Sequence, residues 1–170
     1  MIQAQHISGI HDTIADMESR RTFFKNQWQI KPCVFEELNK IWGPFKIDLF
    51  ADRTTKLLPR YVSWLPDPDA IHTDAFSIPW TKLMNPYGNP PWNLISRTLH
   101  KIRQERLHYI VLVVPYLPSA IWFPQLTQMA LSRPLLLPPQ AVQATSHKTA
   151  HPLLPQNWML SVWQLSGINW

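Results

Sequence analysis

Apolar residues recur at helical spacing in two stretches of this chain. Over residues 33–43, Val34, Leu38 and Ile41 share one face and Gly43 stops the pattern. From Leu94 to Arg106, Leu94, Ile95, Leu99 and Ile102 point inward, while Arg97, Lys101, Arg103 and Arg106 point outward. Tyr109 to Val114 is apolar throughout and ended by Pro115, the pattern of a strand buried on both faces. Phe45-Lys46-Ile47-Asp48-Leu49-Phe50 alternates at first and then turns apolar, which predicts a second buried strand ending at or just after Asp48. Ala75 to Ile78 predicts a short third strand, Asn85 to Trp92 a loop, and residues 121–131 one more helix. Helix, strand, loop, helix, strand in that order predicts an α/β domain with a mainly parallel sheet and crossover helices.

The ends read differently. Residues 1–20 are polar and predict a turn followed by a short helix capped near Asp12. From Pro134 to about Pro155 the chain is rich in Pro, Gln, Ser, Thr and His, which predicts a linker. Trp158 to Trp170 is apolar but short, and its pattern assigns no element.

Composition narrows the functional classes. With 4 Gly in 170 residues, glycine-rich phosphate loops are nearly excluded. Nine Trp predict a largely aromatic core. The formal charge of +5 leans toward a polyanionic partner. A single cysteine, Cys33, excludes an internal disulfide and suits a reducing compartment. The His residues show no metal-ligand spacing, so no metal is expected in the central domain. No secretory signal or membrane-spanning run is expected, and the expected location is intracellular, in nucleus or cytoplasm.

The chemistry concentrates in Asn89-Pro90-Pro91-Trp92. The Asn89 side-chain oxygen and the Pro90 carbonyl can each accept a proton from an exocyclic base amine. Two acceptors so placed favour a pyramidal nitrogen, the nucleophile needed for attack on a methyl donor. Consecutive prolines fix φ and remove two donors, leaving carbonyls to face the ligand. Trp92 suits either a stacking platform for a flipped base or a core position. Asp48 suits either a cofactor amine or ribose or a helix cap, and Asp74 either a cofactor contact or a turn. Arg97 and Lys101 suit either phosphate contacts or a solvated helix face.

These residues carry a family resemblance. Trp28, Pro32, Phe35, Leu38, Gly43-Pro44-Phe45-Lys46-Ile47-Asp48, Asp74, Trp80, Asn89-Pro90-Pro91-Trp92, Lys101, Val114-Pro115 and Trp122-Phe123 resemble, in order and spacing, the Dam-type adenine methyltransferases of phages. Two flanking segments resemble other things. His6-Ile7-Ser8-Gly9 with Ile14-Ala15-Asp16-Met17-Glu18-Ser19-Arg20 is similar to the end of retrotransposon RNase H domains, whose metal-site His and Asp fall on His6 and Asp16. His151-Pro152-Leu153 to Trp163-Gln164-Leu165-Ser166-Gly167 is similar to the stretch leading to the recombinase of DIRS-like elements. The whole thus resembles a fragment of a DIRS-like retrotransposon polyprotein.

The resemblance implies a small Rossmann-like methyltransferase-type domain with a mainly parallel sheet and irregular flanks. It divides the chain into an RNase H remnant at 1–25, a methyltransferase-like domain at 28–134, and a linker with a short apolar tail at 135–170. It implies Asn89, Pro90 and Trp92 as catalytic, Asp48 and Asp74 as cofactor-binding, and Arg97 and Lys101 as nucleic-acid-binding. The partners implied are DNA or a DNA/RNA hybrid and other domains of the same polyprotein. Related classes place a Gly-rich turn after the Asp-x-Phe strand end, whereas here Asp48-Leu49-Phe50-Ala51 runs into Asp52-Arg53-Thr54-Thr55. The expectation is therefore a degenerate, inactive methyltransferase-like module joining RNase H to a recombinase. The alternative is an active DNA adenine methyltransferase using S-adenosylmethionine. The RNase H piece lacks the other carboxylates of a two-metal site and is expected to be inactive alone.

Overall fold

The computed structural model describes residues 28–144 and 159–168. Strand β2 (Ile47–Asp48) pairs parallel with β5 (Pro86–Gly88), and β5 pairs parallel with β6 (Ile110–Pro115). Beyond β6 the direction reverses: β9 (Leu160–Leu165) runs antiparallel to β6, and β7 (Leu135–Leu137) lies antiparallel to β9 at the edge. The five strands lie in the order β2-β5-β6-β9-β7. A small parallel pair, β3 (Val62–Ser63) and β4 (His72–Thr73), joins the β2 edge through a parallel bridge between Asp48 and Tyr61. Outside this sheet, β1 (Trp28–Ile30) and β8 (Val142–Ala144) form an antiparallel ribbon.

The two central strand expectations hold: residues 47–48 and 110–115 lie in one sheet, and β6 is buried along its whole length. They are not neighbours, because β5 lies between them. The segment Asn85 to Trp92, expected as a loop, therefore contains a central strand. Pro86 donates no hydrogen bond, but it opens the strand, where a proline is tolerated. Tyr87 anchors this strand by packing its ring on Phe35 and Phe45, at centroid distances of 5.0 and 5.5 Å.

Helix α1 (Pro32–Trp42) begins with Pro at its first position and ends at Gly43, where a side chain would collide with Asn39. Its buried residues are Phe35 and Leu38, and Ile41 is 61% exposed. The apolar stripe thus follows Phe35, Leu38 and half-buried Trp42, one position off the expected phase. Helix α2 (Ile95–Gln104) buries Ile95, Thr98, Leu99 and Ile102, and Thr98 satisfies its hydroxyl by donating to the Leu94 carbonyl at 2.8 Å. Helix α3 (Phe123–Met129) buries Leu126 and Met129.

Three further expectations need correction. Ala75–Ser77 is a 3-10 turn, not a strand, because Asp74 sits at φ 63 and its Oδ1 accepts the Phe76 N–H at 3.0 Å. The stretch after Pro134 does not run on as a linker: β7 and β8 both fall in it, with Leu137 and Ala141 buried. The apolar tail contributes β9, whose Val162, Trp163 and Leu165 enter the core and whose partner is the whole length of β6. Residues 1–27 and 145–158 lie outside the described residues, and with them the expected N-terminal helix and most of the expected linker.

The core is aromatic where β4 turns toward α2. Trp80 is fully buried, donates from Nε1 to the Ala75 carbonyl at 2.8 Å, and packs edge-on against Phe50. Trp80→Ala is expected to destabilise the fold by about 3–5 kcal/mol, since a large cavity would open. Urea unfolding checks this, and a loss below about 1 kcal/mol would place the tryptophan outside the cooperative core.

Candidate functional site

The chain leaves β2 outward to β3 and β4, then returns to β5 on the opposite side of β2. Where connections part in this way, the carboxyl ends of the parallel strands border a crevice suited to ligands. Asp48 ends β2, Asn89 follows the last residue of β5, and the register pairs Asp48 with Tyr87. The fold thus brings two residues singled out from the sequence, Asp48 and Asn89, to one cavity. It is lined by Gln29, Asp48, Phe50, Thr55, Leu57, Tyr87 and Asn89 and measures about 10 Å³. That is roughly the least volume that holds one water.

The cavity is small, and most of the residues around it carry polar groups. Asp48 is 2% exposed; its carboxylate accepts the Leu57 N–H at 3.2 Å and a long bond from the Phe50 N–H at 3.4 Å. Burial pushes its pKa up to about 7 against the lowering effect of those two N–H groups, and Asp52 adds repulsion. Burial and the Asp48 charge together raise the Tyr87 phenol well above its ordinary range. The Tyr87 hydroxyl and the Gln29 Oε1 are buried without a hydrogen-bond partner. Neither residue stood out in the sequence. Gln29 arrives from β1, and only the three-dimensional ribbon shows that it reaches Asn89's cavity.

The loop after β5 is packed rather than open. Asn89, Pro90 and Pro91 are buried and Trp92 is half-buried against the core. The Pro91 carbonyl accepts the Leu94 N–H at 2.8 Å, which starts the 3-10 turn leading into α2. On the other side, Asp52-Arg53-Thr54-Thr55 folds back on itself. Asp52 Oδ1 accepts the N–H groups of Thr54 and Thr55 at 2.7 and 2.9 Å, and the Thr55 side chain is buried on the cavity wall.

A second space opens beside this turn. Asp52, Arg53, Thr54, Ser63, Trp64, Leu65, Pro66 and Asp67 line a cleft of about 240 Å³. Asp67 staples its two walls by accepting the Arg53 N–H at 3.1 Å and the Tyr61 hydroxyl at 2.9 Å. Burial raises the Asp67 pKa, but the Asp69 N–H, the Tyr61 hydroxyl and Arg53 outweigh it and hold the carboxyl below its ordinary value.

The remaining sequence candidates fall elsewhere. Asp74 does not line the Asn89 cavity; it caps the Ala75–Ser77 turn. Arg97 lies over the Phe76 ring at 4.2 Å. Lys101 lies over the Trp80 ring at 5.4 Å and pairs with Glu105 at 2.6 Å, with only 16% of its side chain exposed. Glu105 in turn accepts the Trp80 N–H at 2.8 Å. Both cations therefore clamp α2 onto the aromatic layer, a use that the outward phase of the helix did not reveal. His6 and Asp16 lie outside the described residues. Among the described residues no three His, Cys, Asp or Glu side chains converge as metal ligands, and no helix is long and apolar enough to cross a membrane.

The buried carboxyl gives the site a pH signature. Between an unfolded value near 4 and a folded value of about 7, Asp48 holds more proton in the native state than in the unfolded chain. Its contribution to stability therefore falls as pH rises through that window and levels off above it. Asp48→Asn is expected to flatten this slope and to gain on the order of 1–4 kcal/mol at pH 8 relative to the parent. Urea unfolding of both proteins at pH 5 and pH 8 reads it; identical slopes would show that Asp48 does not titrate there.

No curated protein matches the chain. A family model described as DNA N-6-adenine-methyltransferase (Dam) matches residues 19–132, from ahead of β1 to the end of the α3 region.

Proposed function

Given that the chain belongs to the Dam DNA N-6-adenine-methyltransferase family, we propose that it is a DNA-binding module of methyltransferase type that does not transfer methyl groups. The observation that carries this reading is the water-sized cavity between Asp48 and Asn89. The family's chemistry calls for S-adenosylmethionine, which supplies an electrophilic methyl group when bound. The cleft of about 240 Å³ has room for part of such a molecule. Thr55 and Leu57 wall off the space that its reactive end would need beside Asn89. The residues present therefore do not fit the whole cofactor. A turn with glycine at these positions would leave the space that these side chains fill.

A second reading, an active adenine methyltransferase, is favoured by the unpartnered Tyr87 hydroxyl and Gln29 Oε1 and by the buried Asp48 carboxyl. Buried acceptors without donors are costly, and a ligand with N–H groups would satisfy them once the cavity opened. In that reading Asn89 and the Pro90 carbonyl hold the target amine, and Trp92 stacks on the extruded base.

Incubation with radiolabelled S-adenosylmethionine and adenine-containing DNA separates the two. No incorporation is expected from the parent, although it binds the DNA. Label taken up by the parent and lost in Asn89→Ala, with DNA affinity changed by less than about threefold, would establish the enzyme.

The flanking resemblances support placing the module within a retrotransposon polyprotein, after RNase H and before a recombinase. A chain extended upstream should then hydrolyse RNA in a hybrid and lose that activity in Asp16→Asn. Hydrolysis indifferent to Asp16→Asn would sink this placement.

A further inference from the structure

The carboxyl end of β6 carries a feature that the site described above does not use. After Pro115 the chain makes two tight turns, closed by the Ala120 N–H on the Leu117 carbonyl at 2.9 Å and the Phe123 N–H on the Ala120 carbonyl at 3.1 Å. At their apex Ile121 is 91% exposed, the highest value among the large hydrophobic residues of the described chain. Its base is rigid. Tyr116 and Trp163 both meet the Phe123 ring edge-on, at 5.5 and 5.8 Å, and Trp122 packs beside it at 6.3 Å. Because β5 and β6 are parallel neighbours, with Gly88 level with Leu112, this apex stands on the same end of the sheet as Asn89. Trp92, Tyr116, Trp122 and Phe123 are all half-buried against one core cluster.

We propose that the 117–122 loop is a second DNA-contacting element, in which Ile121 inserts between adjacent base pairs of a duplex held by the Asn89 end of the sheet. This rests on the DNA-binding reading given above. A single exposed isoleucine is unremarkable in itself. Here it is carried on an aromatic base that resists displacement, and it continues the face on which the family's substrate must sit. Apolar side chains presented in this way unstack a base step and kink the duplex.

The test is a short duplex with donor and acceptor dyes at its ends, titrated with the protein. The parent should raise energy transfer by bending the DNA. Ile121→Ser should lose more than half of that rise while affinity falls less than about tenfold, since affinity rests on phosphate contacts. Ile121→Leu should retain the bend. Met84→Ser is the control: Met84 is 73% exposed but precedes β5, at the opposite end of the sheet. Equal bending by the parent and Ile121→Ser, or binding by the parent without bending, overturns the wedge and leaves DNA binding standing. No binding by the parent overturns DNA binding and the wedge together.

Discussion

Three residues, Pro86-Tyr87-Gly88, hold the site together. They run between β2 and β6, and without them Asp48 and Asn89 would not face one another. The strand is short, and its hydrogen bonds alone would not keep it in place. Packing does. Tyr87 is gripped by Phe35 from α1 and Phe45 from the approach to β2. Gly88 lies so close to Leu112 and Phe50 that any side chain there would press on both. One face of β5 thus demands an aromatic and the other tolerates nothing, and this asymmetry fixes which way Asn89 leaves the sheet.

The same packing explains why polar groups meet in so small a cavity. Tyr87 must be large to fill the space beside α1, and its hydroxyl then has nowhere to go but into the cavity. Asp48 arrives at that point because β2 ends there. Two groups that prefer water are placed side by side by elements whose own stability comes from apolar contacts. Such a site is held by its surroundings rather than by its own interactions.

How much of this was legible beforehand follows from pattern length. Long runs announced themselves: α2 and β6 lie within two residues of their expected bounds, because ten periodic or six apolar residues leave little choice. Short elements did not. Three residues beginning with Pro carry no periodicity, so β5 was hidden, although Asn89 was singled out by its chemistry. The strand β9 was hidden for another reason: Leu160–Leu165 mixes apolar residues with Ser and Gln, and only its pairing with β6 shows that Ser161 is a core residue donating to the Val114 carbonyl. For Lys101 the sequence offers a phosphate contact or a solvated face and not its place over Trp80, because sequence shows which face a side chain points toward, not which ring waits there. Gln29 carried no signal at all.

The antiparallel strand β9 has a consequence for the limits of the unit. The family match stops at residue 132, yet β6 obtains its second neighbour only from residues 160–165. A chain ended at the match would leave Ile110 to Pro115 with a bare row of N–H and C=O groups along a wholly apolar strand. That is a template on which copies of the chain would stack edge to edge. The last strand is thus the seal that keeps the most hydrophobic segment of the protein out of aggregates.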